Sequence, residues 1–163
     1  ISNALDIALN EADLAQIKEE LMQSGYIRRK HTKKKVKLTS KPMHYISSDG
    51  YDMYVGKNNL QNEELTFSFA NGNDWWFHAK GAPGSHVIVK SGGDELPDQT
   101  FEEAGRLAAY YSKNRGADKV EIDYIQKKHV KKPNGAKPGF VVYYTNYSLV
   151  IDSDISNIKN VQD

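Results

Sequence analysis

The stretch Asp74-Trp75-Trp76-Phe77-His78-Ala79-Lys80-Gly81-Ala82-Pro83-Gly84-Ser85-His86-Val87-Ile88-Val89-Lys90 holds both tryptophans and two of the five histidines, and its reading decides the fold. Residues 75–80 and 86–90 read as strands, while Ala82-Pro83-Gly84-Ser85 suits a type II turn with proline first and glycine at the positive-φ position. The expectation is a β-hairpin. Strand side chains alternate, so Trp75, Phe77 and Ala79 share one face and Trp76, His78 and Lys80 the other. On the second strand Val87 and Val89 oppose His86, Ile88 and Lys90. One face is apolar enough for a core. The other gathers an indole, two imidazoles and two ammonium groups, and is the first candidate for function.

On the N-terminal side, residues 43–55 alternate around Ser48-Asp49-Gly50 and predict another hairpin. Asn58 or Asn59 can cap a helix running to about Ala70, with Leu60, Glu64 and Phe67 along one side. On the C-terminal side, Thr100 with Glu103 forms a capping box for a second helix, whose buried stripe should be Ala104, Leu107, Ala108 and Tyr111. Asn114-Arg115-Gly116 supplies its stop. Residues 120–125 alternate as a strand, 140–145 read as a more apolar strand, and 147–151 as a short one. Between them, residues 126–139 carry five lysines among two prolines and two glycines, which forbid a regular helix and suggest a long hairpin arm or a shaped loop. The order β, β, α, β, β, α, β, β predicts an α+β fold: a mixed or antiparallel sheet, two helices packed on one face, the other face at least partly free.

Residues 1–25 place apolar side chains at 1, 5, 8, 14, 17 and 21, close to a helical stripe. This helix is read either as a piece of a helical hairpin or coiled coil, or as a simple N-terminal helix docking on its own domain. The domain organisation is then a helical segment over 1–27, a basic linker over 28–41, the folded domain over 42–151 and a polar tail over 152–163 that is expected to fray.

A net charge of +1 conceals strong segregation: residues 28–41 hold eight lysines or arginines and no acid, whereas residues 1–27 hold five acids against one lysine. The basic run reads as a solvated connector or as an arm that contacts phosphates. Apolar residues at 39% and charged residues at 26% are ordinary for a globular chain. No apolar run approaches the roughly 20 residues that cross a bilayer, no signal-peptide pattern is present and there is no cysteine, so the expected location is the cytoplasm.

Rings that stack on bases beside cations that meet phosphates are the usual means of holding single-stranded or looped RNA. By that logic Trp76, His78, Lys80 and His86 form a candidate platform. Lys127, Lys128, Lys131, Lys132 and Lys137 form a candidate basic arm, and Arg28, Arg29, Lys33, Lys34 and Lys35 a second. The competing reading is a buried Trp76 with both histidines bonded to backbone or carboxylates. Hydrolysis is disfavoured, because Ser85 and His86 are adjacent and face opposite ways. A metal site on His78, His86 and Asp74 has no recognisable spacing, and phosphate-binding glycine motifs are absent, so neither an enzyme nor a cofactor is expected.

The blocks Asp74-x-Trp76-Phe77-His78, Pro83-Gly84-Ser85-His86-Val87, Lys128-x-Val130-Lys131-Lys132-Pro133 and Gly135-Ala136-Lys137-Pro138-Gly139, in this order, resemble the NFACT-R domain. That domain is the C-terminal module of the bacterial Rqc2-like ribosome quality-control proteins, a group that also carries a fibronectin-binding label. Glu19-Glu20-Leu21 and Gly25-Tyr26-Ile27 look like the end of the coiled coil preceding it, so the resemblance covers residues 5–151. It implies work on obstructed large ribosomal subunits and recruitment of alanyl-tRNA for C-terminal tailing without mRNA. The implied partners are tRNA, 23S rRNA, ribosomal proteins and a small S4-like RNA-binding cofactor protein, with fibronectin only by the family label and no membrane. Against full-length members the chain is expected to lack the N-terminal NFACT-N domain and most of the coiled coil. An adhesin or protein-interaction module is the alternative function. It has little support from the residues, which show no anchor and no acidic strand-forming repeats.

Overall fold

The alternation seen in residues 74–90 becomes the middle of a sheet in the computed structural model, which describes residues 41–161. Its strands are β1 (Met43–Ile46), β2 (Asp52–Val55), β3 (Trp75–Ala79), β4 (Val87–Val89), β5 (Val120–Gln126), β6 (Tyr147–Ile151) and β7 (Lys159–Val161). They form one seven-stranded sheet in the order β6-β5-β3-β4-β2-β1-β7, with every neighbouring pair antiparallel. The expected hairpin is present, with Trp75 opposite Val89, Trp76 opposite Ile88 and Phe77 opposite Val87. Its connection differs from the expected turn: the positive φ belongs to Gly81 (64°) and not to Gly84. Gly84 has another use. Its backbone bridges Ser112, and a Cβ there would sit 2.9 Å from the Ser112 Cβ, so the turn closes against the far end of the second helix.

The fold is α+β, but its helices, α1 (Asn59–Glu64) and α2 (Asp98–Tyr110), lie on opposite faces of the sheet. This corrects the expectation of both on one face. Phe77, Ala79, Val87, Val89 and Met53 pack against Ala104, Leu107 and Ala108 of α2. Trp75 meets Phe101 of α2 edge-on at 5.0 Å, and Phe77 stacks on Tyr124 at 5.3 Å. On the reverse face Trp76, Ile88 and Ile125 pack with Leu65, Ala70 and Val130, bordered by Phe67, Val141 and Tyr143. An amphipathic stripe says which side of a helix is buried and nothing about which face of a sheet will bury it.

Asn58 caps α1, its side chain accepting from the Gln61 amide at 2.9 Å. The helix runs directly into a π-helical turn, Leu65–Phe69, closed by the Ala70 amide on the Leu65 carbonyl at 2.9 Å. That wide turn buries Leu65 and Thr66 together against the sheet.

Thr100 and Glu103 do not form the expected capping box. Helix α2 begins earlier, at Asp98, and both side chains are buried against the β1–β2 turn. Glu103 accepts from the Ser48 amide at 2.8 Å and the Ser48 hydroxyl at 2.5 Å, and Thr100 donates to Asp49 at 2.8 Å. Residues 140–145, expected as a strand, join the sheet nowhere; Val142 makes a lone bridge with Lys131, the way back of a folded loop. The tail expected to fray carries β7, which pairs with β1, and Ile158 beside it is buried in the core. The helix expected over residues 1–25 and the basic run with Arg28, Arg29, Lys33, Lys34 and Lys35 lie outside the described residues.

Candidate nucleic-acid interface

His86 joins the separate sequence blocks. It precedes β4, and its backbone amide donates to Asn62 Oδ1 of α1 at 3.0 Å. Its Nε2 lies 3.0 Å from the Gly139 carbonyl and its Nδ1 2.7 Å from the Thr66 hydroxyl. A carbonyl only accepts, so Nε2 carries the proton and Nδ1 accepts from Thr66. Burial pushes the imidazole pKa down to about 3, with the neighbouring His78 adding to the effect. His86 is therefore a neutral structural tether at physiological pH.

The loop that it holds spans residues 127–146 between β5 and β6. Lys127 and Lys128 donate backbone hydrogen bonds to Asp74 and Gly72 at 2.8 and 3.0 Å, and Lys131 and Val142 exchange a pair at 2.9 Å each. Val130 is buried between them. Gly139 donates to Glu63 at 2.8 Å and has φ 83°, and a Cβ there would come within 3.2 Å of Asn59, so glycine suits both the conformation and the space. Tyr143 donates to Asp123 at 2.7 Å, a bond that, after burial, holds the phenol pKa well above its ordinary value. Asp74 closes the other end. It accepts from the Asn71 and Ser91 amides at 2.8 and 2.9 Å and pairs with Lys90 at 2.7 Å.

The structure divides the expected platform. Trp76 is 1% exposed, so it offers no free face for a base and belongs to the core. His78 is half-buried, stacked on Trp76 at 5.7 Å and edge-on to His86 at 5.7 Å, and desolvation lowers its pKa. Neither imidazole supplies a positive charge at neutral pH. Lys80 is exposed but sits 3.7 Å from both Glu121 and Asp123. Lys132 pairs with Glu63 at 3.0 Å and donates to the Lys137 carbonyl. Lys127 lies over the Phe67 ring at 5.6 Å. Lys128, Lys131 and Lys137 remain well exposed on the loop.

The rings presented to solvent beside these lysines are Phe140, 59% exposed, and Tyr144, 74% exposed. Sequence reasoning missed both by taking 140–145 for a strand. The available signal was Pro138-Gly139 immediately before, which breaks a ladder. Between the 81–84 turn and the 137–141 segment lies a cleft of about 480 Å³, floored by Trp76, His78 and His86. All four blocks thus serve one construction, a sheet face with a tethered loop across it.

The model of the NFACT protein RNA binding domain matches residues 41–145. The chain belongs to the NFACT RNA-binding domain family. Among its relatives, the Rqc2 homolog RqcH of Streptococcus pneumoniae is 42% identical, the match covering 98% of this chain and 29% of that protein. RqcH of Bacillus subtilis is likewise 42% identical over 90% of this chain and 26% of its own length. The Ribosome quality control complex subunit NEMF homolog of Drosophila melanogaster is 35% identical over 69 residues. In structure, the NFACT domain is similar to the C-terminal part of the fibronectin/fibrinogen-binding protein from Streptococcus suis, with TM-score 0.79 and 40% identity, covering 96% of this chain and 65% of that one. The chain spans less than a third of the length of the RqcH relatives. The family match ends before β6 and β7, the strands that form the two edges of the sheet. Among the described residues no helix is long and apolar enough to cross a membrane.

Proposed function

We propose that this NFACT domain is the RNA-binding module of a ribosome quality-control protein and that its contact surface is the tethered loop over residues 127–144. The observation that carries this reading is the outward display of Lys128, Lys131 and Lys137 together with Phe140 and Tyr144 on a loop whose shape is held from behind. Lysines meet phosphates and exposed rings stack on bases, with little sequence preference. The relatives' names support the ribosomal setting. In that setting the RNA is tRNA brought to an obstructed large subunit. Alanyl-tRNA recruitment for tailing, 23S rRNA contacts and docking of an S4-like partner then belong to the full-length protein in the cytoplasm. On this reading the domain acts by binding: both nitrogens of His86 are committed, and the neighbouring Ser85 hydroxyl is enclosed without a hydrogen-bond partner among the described residues.

Filter binding of looped RNA across a salt series tests the surface. Replacing Lys128, Lys131 and Lys137 by alanine should lower the salt slope by about 2 units, at roughly 0.7 per charge on single strands. An unchanged slope rejects the loop as the contact surface. Capture on immobilised fibronectin that survives the same substitutions, with no RNA bound, would favour the adhesin reading that the Streptococcus suis neighbour's name raises.

A further inference from the structure

We infer that the cleft beside the loop takes one unstacked nucleobase, so that the module reads an unpaired nucleotide as well as the RNA backbone. This rests on the RNA-binding reading and adds a ligand class and a site to it. The cleft, about 480 Å³, lies in the range of sites that enclose a small molecule, roughly 300–1,000 Å³. Bases in RNA loops, bulges and ends can be splayed out of the stack and held against aromatic side chains.

Its chemistry suits a neutral planar ring attached to an anion. Among the described residues no carboxylate lines it, and the floor imidazoles of His78 and His86 have lowered pKa values, so this floor is uncharged at neutral pH. Among the described residues the cation on its lining is Lys137, well exposed and suited to a phosphate outside. Pro83 and Phe140, on the two segments that border the opening, offer flat apolar faces. For the polar edge of a base the lining supplies the Asn59 side-chain amide. Unmodified peptide side chains lack this combination of a flat uncharged body and a neighbouring phosphate.

The test uses the 163-residue chain and two RNA hairpins that differ at one bulged position, adenosine in one and an abasic sugar in the other, with 2-aminopurine replacing the adenosine for a fluorescence readout. The adenosine hairpin should bind about tenfold tighter, and 2-aminopurine emission should change on binding as the base leaves solvent. Phe140→Ala, at an exposed position, should bring the two hairpins to equal affinity with the melting temperature of the protein unchanged. Equal affinity of the natural chain for both hairpins overturns the cleft while leaving RNA binding intact. A Phe140→Ala effect of the same size on both hairpins also overturns it, since Phe140 would then be a surface contact only. If neither hairpin binds at any salt concentration, the RNA reading and the cleft fall together.

Discussion

Phe77 and Trp76 are neighbours on β3, yet they are buried by different means. Phe77 faces α2 and is covered by Ala104, Leu107, Ala108 and the ring of Tyr124. Trp76 faces the loop and is covered by a layer held through His86, Glu63, Asp123 and Asp74. The first arrangement relies on removing apolar area from water and tolerates many helices of the right stripe. The second buries polar groups, each of which must find its partner, so it adds less stability per residue but specifies one loop shape. If the loop is the RNA contact surface proposed above, stability and recognition fall on opposite faces of a single sheet.

Breaking the apolar face should have the largest effect on folding. Leu107 is fully buried in the α2 core, and Leu107→Ala should cost about 2–5 kcal/mol in urea unfolding while the folded fraction still binds RNA. A loss below 1 kcal/mol would mean that α2 is not the main support of the sheet.

Acid should break the polar face next. His86 has a folded-state pKa of about 3, below its ordinary value near 6.5, so the unfolded chain binds its proton first as pH falls. The stability it contributes is complete above pH 6.5 and is lost progressively toward pH 3. Between pH 7 and pH 5 the loss should be about 2 kcal/mol. Urea titrations at those two values should show it in the natural chain and a smaller loss in His86→Gln.

The mildest break is Tyr143→Phe, which removes the bond to Asp123 and should cost about 1 kcal/mol. Hydrogen exchange should report it as faster opening of the paired Lys131 and Val142 amides, with β3 and β4 unaffected. Equal acceleration in β3 would show that the two faces do not open separately.

Much of this division was readable in residues 74–90, because strict alternation fixes which side chains share a face. The hairpins, the Asn58 cap and the apolar stripe of α2 follow from local chemistry in the same way. What local chemistry could not show were outcomes decided by distant partners. Thr100 and Glu103 fit a capping box, but the Ser48 amide and Asp49 carboxylate bind them more fully than a helix end would. Phe140-Val141-Val142-Tyr143 has the composition of a strand, yet Asp123 and Val130 draw it across a sheet face instead. Histidines beside lysines suggested a cationic platform. Burial removed their charge, and Phe140 and Tyr144 are exposed on the loop instead.

The pairing of β7 with β1 has a mechanical consequence. His44 lies opposite Val161, so the chain enters and leaves the described sheet at one corner. A pull between the two flanking segments would act across the three-residue strand Lys159–Val161, opening its rungs one after another in the manner of a zip rather than shearing them together. Such a junction yields at low force. The sheet edge would detach first under load, while β3, the cleft and the loop, several strands away, would keep their shape.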